Sequence, residues 1–208
     1  QEILRVAEQA VRVARASATT KKKGGEVTLS PVKPVRAEHR SPCEKDPFAI
    51  GLEEKVAMLL SADRLMRQAP EVRVTQGMLT FMREERFFAS SEGARIRETK
   101  VISGGLIAAT AVRGGEVQRR TYPDGFGDFA SAGYEFIEGL DLEGNAERIA
   151  LEAVALLDAP SCPGTVTDLV LGGQQLALQV HESCGHPVEL DRVLGTEVSL
   201  AGASFLTL

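Results

Sequence analysis

The sequence predicts an α+β fold: an antiparallel β-meander carrying helices on one face, with the reactive residues on a bulged or kinked helix that follows a buried strand. Three observations predict it. Apolar residues recur at helical spacing over residues 2–16, 51–68 and 145–157. Strand-like runs fill the interval from Val72 to Tyr122, punctuated by short turn signals. Finally, Thr165 to Leu171 reads as a buried strand leading through the Gly172-Gly173 turn into a helix from Gln174 onward.

Taken in order, Ile3, Val6, Ala7, Ala10, Val13 and Ala14 make one apolar stripe, with Arg5, Glu8, Arg12 and Arg15 on the other faces. This helix is expected to close a preceding unit. Residues 17–47 change character, through Lys21-Lys22-Lys23-Gly24-Gly25 and then Pro31, Pro34, Pro42 and Pro47, and read as an extended connector whose lysine run is a solvated loop. An α+β domain is expected over 48–208. Its first helix carries Leu52, Val56, Leu59, Leu60 and Met66, with Pro70 beyond its end. Val72 and Val74 alternate with charged residues, Phe87-Phe88 forms a short apolar piece, and Ser90-Ser91-Glu92-Gly93 is a turn. Ile96 to Val112 is strand-like and Gly114-Gly115 predicts a tight hairpin. Tyr122 to Gly127 reads as an irregular turn in preference to a ligand loop. The helix from about Asn145 to Leu157 presents Ile149, Ala150, Ala153, Leu156 and Leu157, and Pro160 and Pro163 end it. Gly172-Gly173 lacks the spacing of either nucleotide-binding fingerprint.

Composition narrows the function classes. With 208 residues, 43% of them hydrophobic, the chain can bury a core. A net charge of -5 argues against a broad nucleic-acid footprint, which needs a basic face to displace counterions. No apolar run approaches the roughly 18 residues that span a bilayer, and no signal-peptide pattern is seen, so no membrane partner is expected and the location expected is cytoplasmic. Cys43, Cys162 and Cys184 form no paired framework, which suits a reducing compartment. The chain starts at Gln1 and stops inside the apolar run Ala203 to Leu208, as expected of a fragment cut at both ends.

Chemistry is crowded into His181-Glu182-Ser183-Cys184-Gly185-His186. Two imidazoles can give neutral nitrogen donors to a divalent ion, and a carboxylate beside the first can take a proton from an activated water without being a ligand itself. The familiar zinc-protease helix spaces its histidines i, i+4, about 40° apart on the helical wheel. Here the spacing is i, i+5, which on a regular helix puts His186 roughly 140° from His181. One ion can be shared only if the helix bends. Gly185 relaxes the backbone and Pro187 removes an amide donor, so a one-residue bulge would bring i and i+5 together. Spacing alone leaves open an alternative, in which one histidine is buried and hydrogen-bonded and the other merely marks a helix end. Cys184 could be a ligand or reactive thiol, but the commoner fate of such a residue is to pack beneath the helix. His39, in the connector, is a poor third ligand because a mobile loop gives no supporting contacts.

This motif, with Pro187-Val188-Glu189-Leu190-Asp191-Arg192-Val193-Leu194-Gly195 after it, resembles the TldD/PmbA family, the so-called modulators of DNA gyrase, metalloproteases recognised by His-Glu-x-x-x-His. The likeness continues upstream through the Ser161-Cys162-Pro163-Gly164 loop, the 145–157 helix and the meander, and covers most of the chain from about Phe48. It implies that residues 1–16 end a truncated first α/β piece and that a β-rich C-terminal domain is absent. It implies that His181 and His186 hold zinc together with a cysteine from that absent domain, and that Glu182 is the general base. Two histidines alone would hold the metal weakly, so the fragment is expected to be inactive. Pro187 and Leu190 replace small residues common in other branches, without touching ligands or base. Glu189 and Asp191 could accept ring N–H groups from the histidines or be surface charges at a helix end.

The function expected from the resemblance is a zinc-dependent metallopeptidase acting on peptides or unfolded protein segments, as a homodimer or a heterodimer with a related subunit. The alternative is a non-catalytic adaptor that binds extended peptides or a TldD/PmbA-type partner. Direct binding of nucleic acid is not expected.

Overall fold

The computed structural model describes residues 2–19, 33–196 and 198–206. The lysine run 21–23, most of the glycines and prolines at the start of the connector, and the last two residues of the terminal apolar run lie outside them. Two compact units separate, one within Gln1–Glu38 and Phe87–Arg97, the other within His39–Arg86 and Glu98–Leu208.

The first unit contains helix α1, Glu2–Thr19, with no buried residue along it. Arg5 Nε donates to Glu2 Oε2 at 3.1 Å, an ion pair one turn apart that suits an exposed helix face. The same unit holds the tip of a long β-hairpin, where Gly93 N–H donates to Ser90 O at 3.0 Å across the expected Ser90–Gly93 turn.

The second unit is organised by β3, Arg95–Arg113, from its residue Glu98 onward. One of its edges pairs with β2, Val72–Ala89. Its other edge is shared along its length by β1, Arg36–Arg40, then β5, Asp128–Ala130, then β4, Glu116–Tyr122. The β3–β4 register runs antiparallel from Arg113↔Glu116 to Ile107↔Tyr122, and β5 pairs Ser103↔Ala130 to Gly105↔Asp128. The β3–β4 turn needs left-handed backbone at two successive residues, and Gly114 and Gly115, with φ of 59° and 92°, supply it. Strand β1 is a departure from the connector expected over 17–47. Its five residues, Arg-Ala-Glu-His-Arg, are all exposed, so backbone pairing makes the strand with no apolar alternation to announce it.

Alternation on β3 builds the core. Ile107, Ala109 and Ala111 point to one face and pack with Ala62 and Met66 of helix α2, Leu52–Met66, and with Ile149, Ala150 and Ala153 of helix α4, Ala146–Leu156. Helix α3, Tyr134–Leu140, adds Tyr134, Ile137 and Leu140 to the same cluster. This is the expected meander with helices packed on one face. The buried side of α2 overlaps the expected face only in part: Met66 is buried and Leu59 half-buried, but Leu52, Val56 and Leu60 stand exposed, while Met58, Ala62 and Leu65 turn inward. Leucines lie all round this helix, so the 3.6-residue pattern did not single out one stripe.

The expected buried strand at Thr165–Leu171 is corrected. These residues form no strand, and Val166, Leu169 and Val170 are fully or largely exposed. A strand exists only through ladder partners, and none among the described residues pairs with this run. The chain then enters helix α5, Gly173–Val180, which continues into the motif. Among the described residues no helix is long and apolar enough to cross a membrane.

Candidate metal and catalytic site

Beyond Val180 the helix does not simply break. His181–Gly185 form a π-helical turn, in which His186 N–H donates to His181 O, five residues back. The extra residue per turn turns an i, i+5 pair toward one side, a geometry a regular α-helix denies it. His186–Val188 follow as a 3₁₀ turn with Pro187 near its start, and Leu190–Leu194 form helix α6, closed by Gly195. A short helix α7, Val198–Ala201, is the last helix among the described residues, and beyond it Ser204 Oγ donates back to Pro187 O at 2.6 Å.

The π turn sets the rings edge to face, with centroids 4.5 Å apart and planes at 85°. His181 Nε2 lies 3.1 Å from His186 Nε2. Two nitrogens bound to one tetrahedral ion at about 2.0–2.1 Å would be separated by about 3.3 Å, so the pair is already close to the edge of such a site. His186 Nδ1 lies 2.9 Å from Glu189 Oε1. If that nitrogen carries the proton, Nε2 keeps its lone pair facing His181, the usual arrangement of a carboxylate that orients a metal-binding imidazole. Glu182 Oε2 lies 3.8 Å from His186 Nε2 and its side chain is 60% exposed, so it is open to water. Among the described residues, His181, Glu182 and His186 offer ligand atoms within 4.8 Å of one another. The two imidazoles fit a borderline divalent ion such as zinc, with the Glu182 carboxylate standing beside them.

The other sequence candidates separate clearly. Of the two acidic residues expected near the rings, Glu189 touches His186, whereas Asp191 Oδ1 accepts the Arg192 backbone N–H at 3.0 Å and meets neither ring. Arg192 Nε sits 2.8 Å from Glu189 Oε2, close enough for charge attraction but not aligned for a hydrogen bond, and so helps hold that carboxylate. Cys184 is exposed, a correction to its expected place beneath the helix. No residue of α5 or of the π turn is buried, so there is no packed underside for it to fill. His39 lies on β1, outside the His181–Glu182–His186 group.

The turn after Tyr122 takes a larger part than its sequence suggested. Asp124 to Gly127 face Gln174, Leu178, His181 and Glu182 across a cleft of about 480 Å³. Its two glycines and Phe126 were the available signal, but the meeting of that loop with α5 is a tertiary fact with no local pattern.

Comparison with known proteins assigns the packed body. A family profile described as the PmbA/TldA metallopeptidase central domain matches residues 45–157, more than half of the chain. The chain belongs to the PmbA/TldD family. The matched span ends before His181, so family membership and the motif geometry are separate observations. A crystal structure from Thermotoga maritima, of a protein named for a proposed role as modulator of a DNA gyrase, aligns at 16% identity with a TM-score of 0.47. The alignment covers 68% of this chain and 29% of that one, so this chain spans less than a third of that protein's length. Comparison with curated protein sequences yields no match.

Proposed function

We propose that the protein to which this chain belongs is a zinc-dependent peptidase, with His181 and His186 as metal ligands and Glu182 as general base. The observation that carries the reading is the 3.1 Å approach of the two Nε2 atoms beside an open carboxylate, on a turn whose backbone brings i and i+5 together. A bound zinc would supply Lewis acidity, lowering the pKa of a water and polarising a peptide carbonyl. Glu182 would take the proton from the attacking water and return it to the leaving amine. Glu189 would hold the His186 ring in the tautomer that leaves Nε2 unprotonated.

Two histidines leave the coordination short of the three protein ligands usual at a catalytic zinc. The resemblance to the family assigns the third to a cysteine outside this chain, so the 208 residues alone bind zinc weakly and do not turn over. Peptides or unfolded segments are the proposed substrates, and a homodimer or a heterodimer with a related subunit is the proposed assembly.

The test is Glu182→Gln in the full-length protein. Peptide hydrolysis should fall by roughly 10²–10⁴-fold while zinc content stays unchanged. Hydrolysis retained at wild-type rate with zinc still bound would remove Glu182 from its role. Wild-type protein that holds no zinc and keeps its activity under chelator would remove the metal.

A further inference from the structure

The cleft beside the motif has a second wall, the 124–127 loop, to which the hydrolytic chemistry assigns no task. Its tip is held at several points. Tyr122 Oη donates to Leu140 O at 2.9 Å, Gly127 N–H to Asp124 O at 3.2 Å, and Gly125 N–H to Asp124 Oδ1 at 2.7 Å. Gly127 has φ of 83°, where a Cβ would also lie 2.8 Å from Gly105 O. On this tied loop Phe126 is 82% exposed. A large aromatic held out on an anchored loop gives contact area while giving up little freedom on binding.

The opposite wall is one face of α5 continued into the π turn, where Gln174, Leu178 and Glu182 follow one another at i, i+4 and i+8. From Gln174 to Glu182 this wall is about 12 Å long, room for roughly three or four residues of extended peptide. Leu178, 49% exposed, lies one turn before Glu182, about 6 Å away or two residues of extended chain. The side-chain amides of Gln174 and Gln175 can pair with peptide backbone. The lining includes Asp124 and Glu182 but no lysine or arginine, so it disfavours acidic peptides.

We propose that Phe126 and Leu178 form a subsite that takes a bulky apolar side chain of an extended peptide, about two residues from the bond presented to Glu182. This deepens the peptidase reading and rests on it for the identity of the occupant.

The experiment uses the full-length protein and a set of neutral peptides in which one position at a time is Leu or Ala. Cleavage is measured with wild type and Phe126→Ala, and binding of fluorescein-labelled peptides is measured with Glu182→Gln alone and combined with Phe126→Ala. At one position wild type should prefer Leu by about tenfold in kcat/KM, and Phe126→Ala should bring that ratio close to one. The same preference should appear in binding to Glu182→Gln and vanish in the double variant. Cleavage with the Leu preference intact in Phe126→Ala would overturn the subsite and leave the peptidase reading standing. Absent cleavage by wild type, with selective binding lost on Phe126→Ala, would overturn the peptidase reading and leave the subsite standing. A uniform loss across all peptides, or no binding preference at any position, would overturn the subsite. The melting temperature of Phe126→Ala should match wild type, since the side chain is exposed.

Discussion

Between Pro47 and Ala153 the sheet and helices bury one another's side chains, whereas from Pro160 to Leu206 no described side chain is buried. The first region is held by apolar contact: Ile107, Ile137, Leu142 and Ile149 are each almost wholly removed from water. The second is shaped by its backbone. His186 N–H closes the π turn, Thr196 N–H donates to Asp191 O at 2.9 Å, and Ser204 Oγ reaches Pro187 O. The family profile covers almost the same span as the burial, 45–157, while the candidate chemistry lies wholly in the second region. Scaffold and site are thus stabilised by different forces, and substitutions in the two regions should show in different measurements.

The sharpest way to break this division is a pair of truncations. Ile107→Ala removes a side chain with 0% exposure from the centre of β3 and should cost about 2–5 kcal/mol in urea unfolding of the chain. Leu178→Ala, on the exposed face of α5, should cost no more than about 0.5 kcal/mol. Comparable losses from both would mean that α5 is part of the cooperative core, and the two-region description would fail.

The same division explains what the sequence made legible. The body could be read because its periodicities report burial: the helices near 52–66 and 146–156, the β3 run and the Gly114-Gly115 hairpin all lie where apolar spacing and turn chemistry put them. Helix α3 went unread because seven residues are too few for a period to declare itself. Thr165–Leu171 misled for the opposite reason, since β-branched and apolar residues state a preference that only a partner strand can satisfy. In the site region the π turn could be anticipated from Gly185, Pro187 and the i, i+5 spacing, all local features. The Phe126 loop could not, because nothing within residues 122–127 refers to a helix fifty residues later.

Within the site, Glu189 and Asp191 form a natural contrast. Glu189→Ala removes the acceptor 2.9 Å from His186 Nδ1 and should weaken zinc affinity of the full-length protein by about 10–100-fold in competition titrations. Asp191→Ala should change it by less than about twofold, because that carboxylate serves its own helix start. Equal effects would mean that Glu189 acts through the fold of the turn and not through the ring.

A smaller effect is expected where the body meets the cleft. Gly127→Ala forces an L-residue to φ of 83° and brings its Cβ to 2.8 Å from Gly105 O. The cost should be about 1–2 kcal/mol, or a fall of a few degrees in melting temperature. Gly125→Ala, two residues away with open space around the added carbon, should leave the melting temperature unchanged. A neutral Gly127→Ala would mean that the loop is free to move, and would undercut the fixed placement of Phe126.

The smallest effect is a dependence on pH within the packed region. Glu152 on α4 lies 2.7 Å from Arg120 Nε of β4 and 2.6 Å from an Arg148 guanidinium nitrogen. Arg120 first, then Arg148, hold its carboxyl below the ordinary value of 4.5. A carboxylate whose folded pKa is depressed stabilises the fold above its unfolded pKa and loses that contribution as pH falls through the folded value. With its side chain 34% exposed, solvent screening limits the contribution to no more than about 1 kcal/mol. Glu152→Gln should therefore be slightly less stable than wild type near pH 7, with the gap closing as pH falls below the ordinary value of 4.5 and through the lowered folded value. A gap for Glu152→Gln that stays constant with pH would assign its effect to packing between α4 and β4 instead of charge.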